Sequence, residues 1–237
     1  MIDNMKVTAI IAAAGSSNRM KSSINKTFIK IDGLPVIMHT IDKFERSNYV
    51  DEIVVAARKD DIEYLKTEIL PLGDTSKVIG VVEGGDTRQQ TIANCLEFLP
   101  DDTDIVLTHD GARPFVHVET IDGALDDVLI NRAVVVGVPV KDTIKSVNDD
   151  GKNIVHITPK RSLLWAAQSP QVFFAEDLRR AYYYCELEGI EGTDDSSLVE
   201  KLGIDVHMFL GTYDNIKLTT PEDLVLAKLF IDNGEVK

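Results

Sequence analysis

The sequence predicts an α/β fold: a mainly parallel sheet in three layers, with helices on both faces. Three observations carry this expectation. Short β-branched runs alternate with segments whose apolar residues recur at helical spacing. The first run, VTAIIAAA at 7–14, is almost continuously apolar, as in a strand covered on both faces. The ends of the strand candidates are rich in glycine and charge.

The first strand candidate is too short to span a bilayer. It stops at Gly15, and small polar residues then lead to Arg19, Lys21 and Lys26. Glycine allows a sharp turn there, and exposed backbone N–H groups beside three cations suit phosphate oxygens. A nucleoside-triphosphatase loop needs a second Gly followed by Lys and Ser or Thr, and a dinucleotide loop needs GxGxxG; neither pattern is written here. A short strand and turn follow at 30–33, with Pro35 expected in the first turn of a helix carrying Ile37, Ile41 and Phe44. Strand candidates at 52–57, 77–82, 104–108 and 133–140 then alternate with helices marked by Ile62, Leu65 and Ile69 and at 87–99 and 119–130.

The alternation breaks at Asp142. Two short alternating strands flank Asn148-Asp149-Asp150-Gly151, a hairpin signal because Asp-Gly tolerates positive φ. A β-arm at about 142–160 is therefore expected to leave the main sheet. An isolated hairpin is marginal in water, so a second subunit is one surface that could cover it. Helices at 176–188 and 194–202, a strand at 205–210 and a helix at 221–231 complete the chain, read as one domain over 1–237 with the arm as an insertion.

Asp and Glu number 39 against 25 Lys and Arg, giving a net charge of −14. That balance opposes non-specific association with nucleic acid or anionic membrane, so the cations after strand one must act locally. No apolar stretch of membrane-spanning length, basic leader or lipidation signal is evident, and a cytoplasmic location is expected. Cys95 and Cys185 form neither a CxxC pair nor a disulfide framework and are read as structural.

In an open α/β sheet, ligands bind outside the carboxyl ends of the strands. Those ends carry Gly15, then Gly84-Gly85-Asp86 with Arg88, then His109-Asp110-Gly111-Ala112-Arg113, then Asp142-Thr143. Asp110 is the candidate metal residue, since Mg²⁺ takes one or two carboxylates alongside phosphate and water. Its competing reading is a structural ion pair with Arg113. His109 has no second His or Cys at zinc spacing and is read as orientational or structural. Lys217, between a turn and the helix start at Pro221, joins Arg19 and Lys26 as a third cation able to surround a reacting phosphate.

Eight segments, in order, resemble one known family: AAAGSSNRM, NK before FIKI, GGDTRQQT, HDGARPF, DTIK, TPKRSLLWAAQSPQVF, TDDSSLVE and DNIKLTTPEDL. The resemblance is to the 2-C-methyl-D-erythritol 4-phosphate cytidylyltransferases and covers nearly the whole chain; ribitol-5-phosphate cytidylyltransferase is a close relative. It implies a Rossmann-like nucleotidyltransferase fold whose β-arm exchanges between subunits of a homodimer. By the same resemblance, Ala13, Ala14, Gly15, Gly85, Asp86 and Thr91 surround the cytidine nucleotide. Arg19, Lys26 and Lys217 act on the triphosphate and transition state. Asp110 lies near the metal, Mg²⁺ or another divalent cation, and the sugar phosphate. Thr143 and Arg161 hold the acceptor phosphate of the neighbouring subunit, with Ser169 and Thr193 as further substrate-side hydroxyls.

The chain departs from the family pattern at Ser17 (usually Gly), Asn25 (usually Pro), Gly111 (usually Ala), the Ser of SPQ (usually Thr) and the second Asp of TDD (usually Glu). The first two leave the order of the loop before Lys26 open. The implied reaction is in-line transfer of CMP from CTP to a sugar-alcohol phosphate. Ribitol 5-phosphate as the acceptor, and a non-catalytic nucleotide-binding scaffold, are the alternatives.

Overall fold

A computed structural model describes residues 1–15 and 25–232. In chain order its strands and helices are β1 (Val7–Ala12), β2 (Lys30–Ile31), β3 (Leu34–Pro35), α1 (Val36–Glu45), β4 (Glu52–Ala57), α2 (Ile62–Tyr64), β5 (Val78–Glu83), α3 (Arg88–Phe98), β6 (Ile105–Asp110), α4 (Val118–Asn131) and β7 (Ala133–Pro139). They continue with β8 (Ser146–Val147), β9 (Val155–Ile157), β10 (Trp165–Phe174), α5 (Ala175–Leu187), α6 (Asp195–Val199), β11 (His207–Leu210) and α7 (Pro221–Asp232).

Seven strands form the main sheet in the order β11-β7-β10-β6-β1-β4-β5. β5, β4, β1 and β6 pair in parallel, as do β7 and β11. Side-chain alternation divides the core into two layers. Ala9, Ile11, Ile53, Val55 and Leu107 pack with Ile37, Ile41 and Phe44 of α1 and Leu125 of α4. Ile10, Val54 and Val106 face the other way, against Ile92 of α3, Leu178 of α5 and Val199 of α6. This produces the expected three layers and mainly parallel sheet. From β1 the chain winds outward to β4 and β5, then returns to β6 on the other side of β1, so the carboxyl ends of β1 and β6 flank a topological switch point.

β10 is absent from the sequence-based element order. It runs antiparallel between β6 and β7, and Pro170 in its middle argues against a central strand on sequence grounds. The sheet accommodates that proline through an irregular register. Between pairs Ala167↔Gly137 and Gln171↔Val135, β10 advances four residues while β7 advances two. Ser169 lies in this irregular stretch and is buried.

Smaller differences have local causes. Pro35 ends β3 and caps α1 rather than entering the helix. The Ile62–Ile69 periodicity is realised as one α-turn followed by a π-helix over Leu65–Ile69, which still buries Leu65 and Ile69. Cys95 and Cys185 are buried and free. The arm appears as the separate pair β8-β9, with Gly151 at φ +72° and the Asn148 N–H donating to the Ile154 carbonyl at 2.9 Å. Among the described residues no helix is long and apolar enough to cross a membrane.

Gly137 of β7 lies close against β10 and β11. A Cβ there would stand 2.8 Å from the Ala166 carbonyl oxygen and 2.5 Å from Met208 Cε. The methionine can move, but the paired backbone cannot move without disturbing the sheet. Gly137→Ala should lower unfolding free energy by about 1–3 kcal/mol, measured by urea denaturation; an unchanged midpoint would contradict this close packing.

Candidate active site

A cleft of about 630 Å³ opens at the carboxyl ends of β1, β4, β5 and β6. Nine of the residues expected at the site line it: Ala13, Ala14, Gly15, Lys26, Gly85, Asp86, Thr91, Asp110 and Lys217. Arg19 lies outside the described residues. Four others do not line the cleft within the described structure. Ser169 stands behind it, its Oγ accepting a hydrogen bond from the Asp110 backbone N–H at 3.1 Å. Thr193 is exposed, just before the Asp194 cap of α6. Thr143 on the arm and Arg161 just after it are exposed, and Arg161 Nη1 donates to the Lys141 carbonyl at 3.0 Å.

The glycine walls are required by close approach. A Cβ on Gly84 would fall 2.2 Å from the Ala14 Cβ, and one on Gly85 would fall 2.4 Å from the Gln90 Cβ. Thr91 holds this turn: its Oγ1 accepts from Gly85 N–H at 3.1 Å and donates to the Thr87 carbonyl at 2.9 Å. A capping box between Thr87 and Gln90 starts α3 at the same point.

Asn25 ties Lys26 to the first strand. Its Nδ2 donates to the Ala13 carbonyl at 3.0 Å and to Asp61 at 2.9 Å. Its Oδ1 accepts from the Thr27 N–H at 3.1 Å, capping the short 3-10 turn Lys26–Phe28. Where the family usually has proline, a buried amide thus fixes the backbone of Lys26.

Asp110 is the electrostatic centre. Lys217 Nζ lies 2.9 Å from Oδ2, Arg113 Nε lies 3.3 Å from the same oxygen, and Arg88 Nε lies 3.9 Å from Oδ1. Burial alone would raise the carboxyl pKa, but Lys217, Arg113 and Arg88 outweigh it and hold the group well below the usual carboxylate range. The structural pairing with Arg113 and the approach of Lys217 therefore coexist. Arg113 also donates through Nη1 to the Asn215 carbonyl at 2.7 Å. Asn215 is buried and donates to Ser169 O at 2.9 Å and Gln168 Oε1 at 3.1 Å. The loop that delivers Lys217 is thereby fastened to both β6 and β10.

A family model described as 2-C-methyl-D-erythritol 4-phosphate cytidylyltransferase matches residues 7–233. The chain belongs to this family. The enzyme of that name from Caldanaerobacter subterraneus subsp. tengcongensis is 43% identical over 227 residues, covering 96% of this chain and 99% of its own. The one from Clostridioides difficile is 45% identical over 225 residues, covering 95% and 93%. Among solved structures, 4-diphosphocytidyl-2C-methyl-D-erythritol synthase from Anaerococcus prevotii superposes with a TM-score of 0.86 at 33% identity, covering 98% of each chain. The Thermus thermophilus cytidylyltransferase gives 0.77 at 31% identity, covering 96% of this chain and all of its own.

Several cleft residues of this cytidylyltransferase-family chain escaped the sequence reading. Arg58 and Lys59 line the cleft just after β4, where the strand-end rule would have found them. Arg88 is marked in the sequence only by its place near Asp86, yet it stands beside Asp110 and pairs with Asp195, a residue of the TDDSSLVE segment. No spacing rule links positions 88, 110 and 195. Among the described residues, no group of three or more His, Cys, Asp or Glu side chains could by itself hold a metal ion.

His109 has the structural position expected of it. It is buried, its Nε2 pairs with the Arg113 carbonyl at 3.1 Å, and its ring lies 4.9 Å from that of Phe44. The carbonyl requires Nε2 to be the donor, and burial lowers the imidazole pKa to about 4. An unfolded histidine titrates near pH ~6.5, so below that value the unfolded chain binds a proton that the folded chain refuses. This contribution to stability is complete above about pH 6.5 and is lost as pH falls toward about 4, by on the order of 3 kcal/mol. Urea denaturation across that range should show a shallower pH slope for His109→Gln than for the wild type; identical slopes would contradict the neutral buried imidazole.

Proposed function

We propose that this chain transfers CMP from CTP to 2-C-methyl-D-erythritol 4-phosphate, forming 4-diphosphocytidyl-2-C-methyl-D-erythritol and pyrophosphate in isoprenoid precursor synthesis. Family membership supplies the reaction class. The observation that carries the mechanistic reading is Lys217, held 2.9 Å from Asp110 in the cleft at the switch point. A chain of net charge −14 here presents a held cation to an anionic substrate.

A phosphate oxygen of the acceptor attacks the α-phosphorus of CTP. The new P–O bond forms as the bond from the α-phosphorus to the bridging oxygen breaks, and pyrophosphate leaves with that electron pair. A phosphate monoester is already a nucleophile, so the chain need not supply a general base or a covalent intermediate. Its work is positioning and charge stabilisation. Lys26 and Lys217 neutralise charge growing on the pentacoordinate phosphorus, and Arg19 holds the departing pyrophosphate. Ala13, Ala14, Gly15, Gly85, Asp86 and Thr91 hold the nucleotide, with Gly84 and Gly85 letting the backbone approach it closely.

Mg²⁺, or another divalent cation, belongs to this reading. Asp110 offers the hard oxygen donor that Mg²⁺ accepts once or twice beside phosphate oxygens and water, and it lines the cleft. Among the described residues no group of three or more metal-ligating side chains stands with it, so Asp110 would hold the ion together with substrate oxygens and water. When bound, the ion would neutralise triphosphate charge.

The assembly proposed is a cytoplasmic homodimer formed by arm exchange. Its support is the exposure of Ile144, Val147, Ile154, Val155 and Ile157, all between 42% and 54% accessible on a hairpin too small to be stable alone. Exchange would carry Thr143 and Arg161 toward the acceptor phosphate in the cleft of the partner subunit, with Ser169 and Thr193 on the substrate side of their own. Sedimentation of the purified chain should give a dimer; a monomer with full activity would contradict arm exchange.

Pyrophosphate release with CTP and Mg²⁺ tests the reaction. It should require 2-C-methyl-D-erythritol 4-phosphate, and Lys26→Ala or Lys217→Ala should each slow it by about a hundredfold or more, roughly 3 kcal/mol of barrier. Release only with ribitol 5-phosphate would overturn the acceptor. CTP binding without release from either acceptor would overturn the transfer, and wild-type turnover by either lysine variant would remove that lysine from the mechanism.

A further inference from the structure

We propose that Asp195 is a positioning residue for CMP transfer: by taking up the charge of Arg88, it leaves Asp110 available to hold Lys217. The inference rests on the transfer reading above and adds a residue that lies outside the cleft lining.

Asp195 opens α6 and is wholly buried. Its carboxylate receives four donors, two at each oxygen. Arg88 Nη1 and Tyr182 OH reach Oδ1, both at 2.6 Å, while Arg88 Nη2 and Thr108 Oγ1 reach Oδ2 at 2.7 and 2.5 Å. The arginine contact is bidentate, the geometry that fixes the plane of a guanidinium as well as its position. Thr108 lies on β6 two residues before Asp110, on the same face of the strand. One buried carboxylate therefore ties α6 and α5 to the start of α3 and to the strand that ends in Asp110.

The consequence follows from charge. Among the described residues, Lys217 and Arg113 contact Asp110 within 3.3 Å, whereas Arg88 is held at 3.9 Å while both its terminal nitrogens engage Asp195. If Asp195 were neutral, the partly buried guanidinium would lack its counter-charge, and the neighbouring carboxylate would be Asp110. Removing one partner of a buried pair leaves exactly such an uncompensated charge, which must find another partner or solvent. Arg88 would then turn onto Asp110 and compete with Lys217 for it. Lys217 would lose its fixed place before the α-phosphorus, while the glycine walls of the nucleotide site would remain intact.

A structural tie and a positioning role predict different kinetics. Asp195→Asn, Asp195→Glu and Tyr182→Phe are compared with the wild type for kcat and KM, each shown to be folded by circular dichroism and assayed well below its melting point. The asparagine variant should lose kcat by on the order of ten- to a hundredfold, the scale expected of a small misplacement of a reacting group, with KM for CTP little changed. Glutamate, which keeps the charge, should recover most of that loss. Tyr182→Phe removes one donor but no charge, so it should lower stability without a comparable loss of kcat. Wild-type turnover in the same assay tests the transfer reading by itself. With that turnover in hand, a folded asparagine variant at wild-type kcat, or a glutamate variant no faster than asparagine, overturns the role of Asp195 alone.

Discussion

The arrangement of the cleft depends on one partly buried carboxylate surrounded by cations. Asp110 ends β6 beside the switch point, and Lys217, Arg113 and Arg88 converge on it from three separate parts of the chain. Each cation is fastened elsewhere: Arg88 to Asp195, Arg113 to the Asn215 carbonyl, and Lys217 by a loop whose Asn215 is bound to β10. Without Asp110 these charges would repel one another across the cleft. With it, they form a compact group that an anionic substrate can meet in an otherwise acidic protein.

This geometry explains why β10 matters beyond completing the sheet. Its irregular register beside Pro170 puts Ser169 Oγ under the Asp110 N–H and Ser169 O under the Asn215 amide. The strand links the Asp110 end of β6 to the loop that delivers Lys217. A regular ladder through this stretch would have no such two-residue excursion. The same position hides the strand from sequence reading, because a proline inside a segment argues against a central strand.

The parallel half of the fold was legible in the sequence for a simple physical reason. β1, β4, β5 and β6 are short apolar runs separated by amphipathic helices, and their polar ends fall where ligands of such sheets bind. Lys26 and Lys217 gain their expected significance from motif resemblance, since a lone lysine before a helix has no distinguishing pattern. Arg88 and Asp195 were not legible as a pair: 107 residues separate them, and the packing of α6 on α5 and β7 is what carries Asp195 to Arg88. Arg58 and Lys59, directly after β4, are legible by the same strand-end rule. The arm was readable from its Asp-Gly turn, although its paired strands are only two and three residues long.

The central claim is that Asp110 and Lys217 act as one unit in transfer. A double-mutant cycle on single-turnover CMP transfer tests it most directly, using the wild type, Asp110→Asn, Lys217→Ala and the combined variant. The account predicts strong coupling, with the double variant little slower than the slower single variant. Rate losses that simply multiply, as for two independent sites, would contradict it.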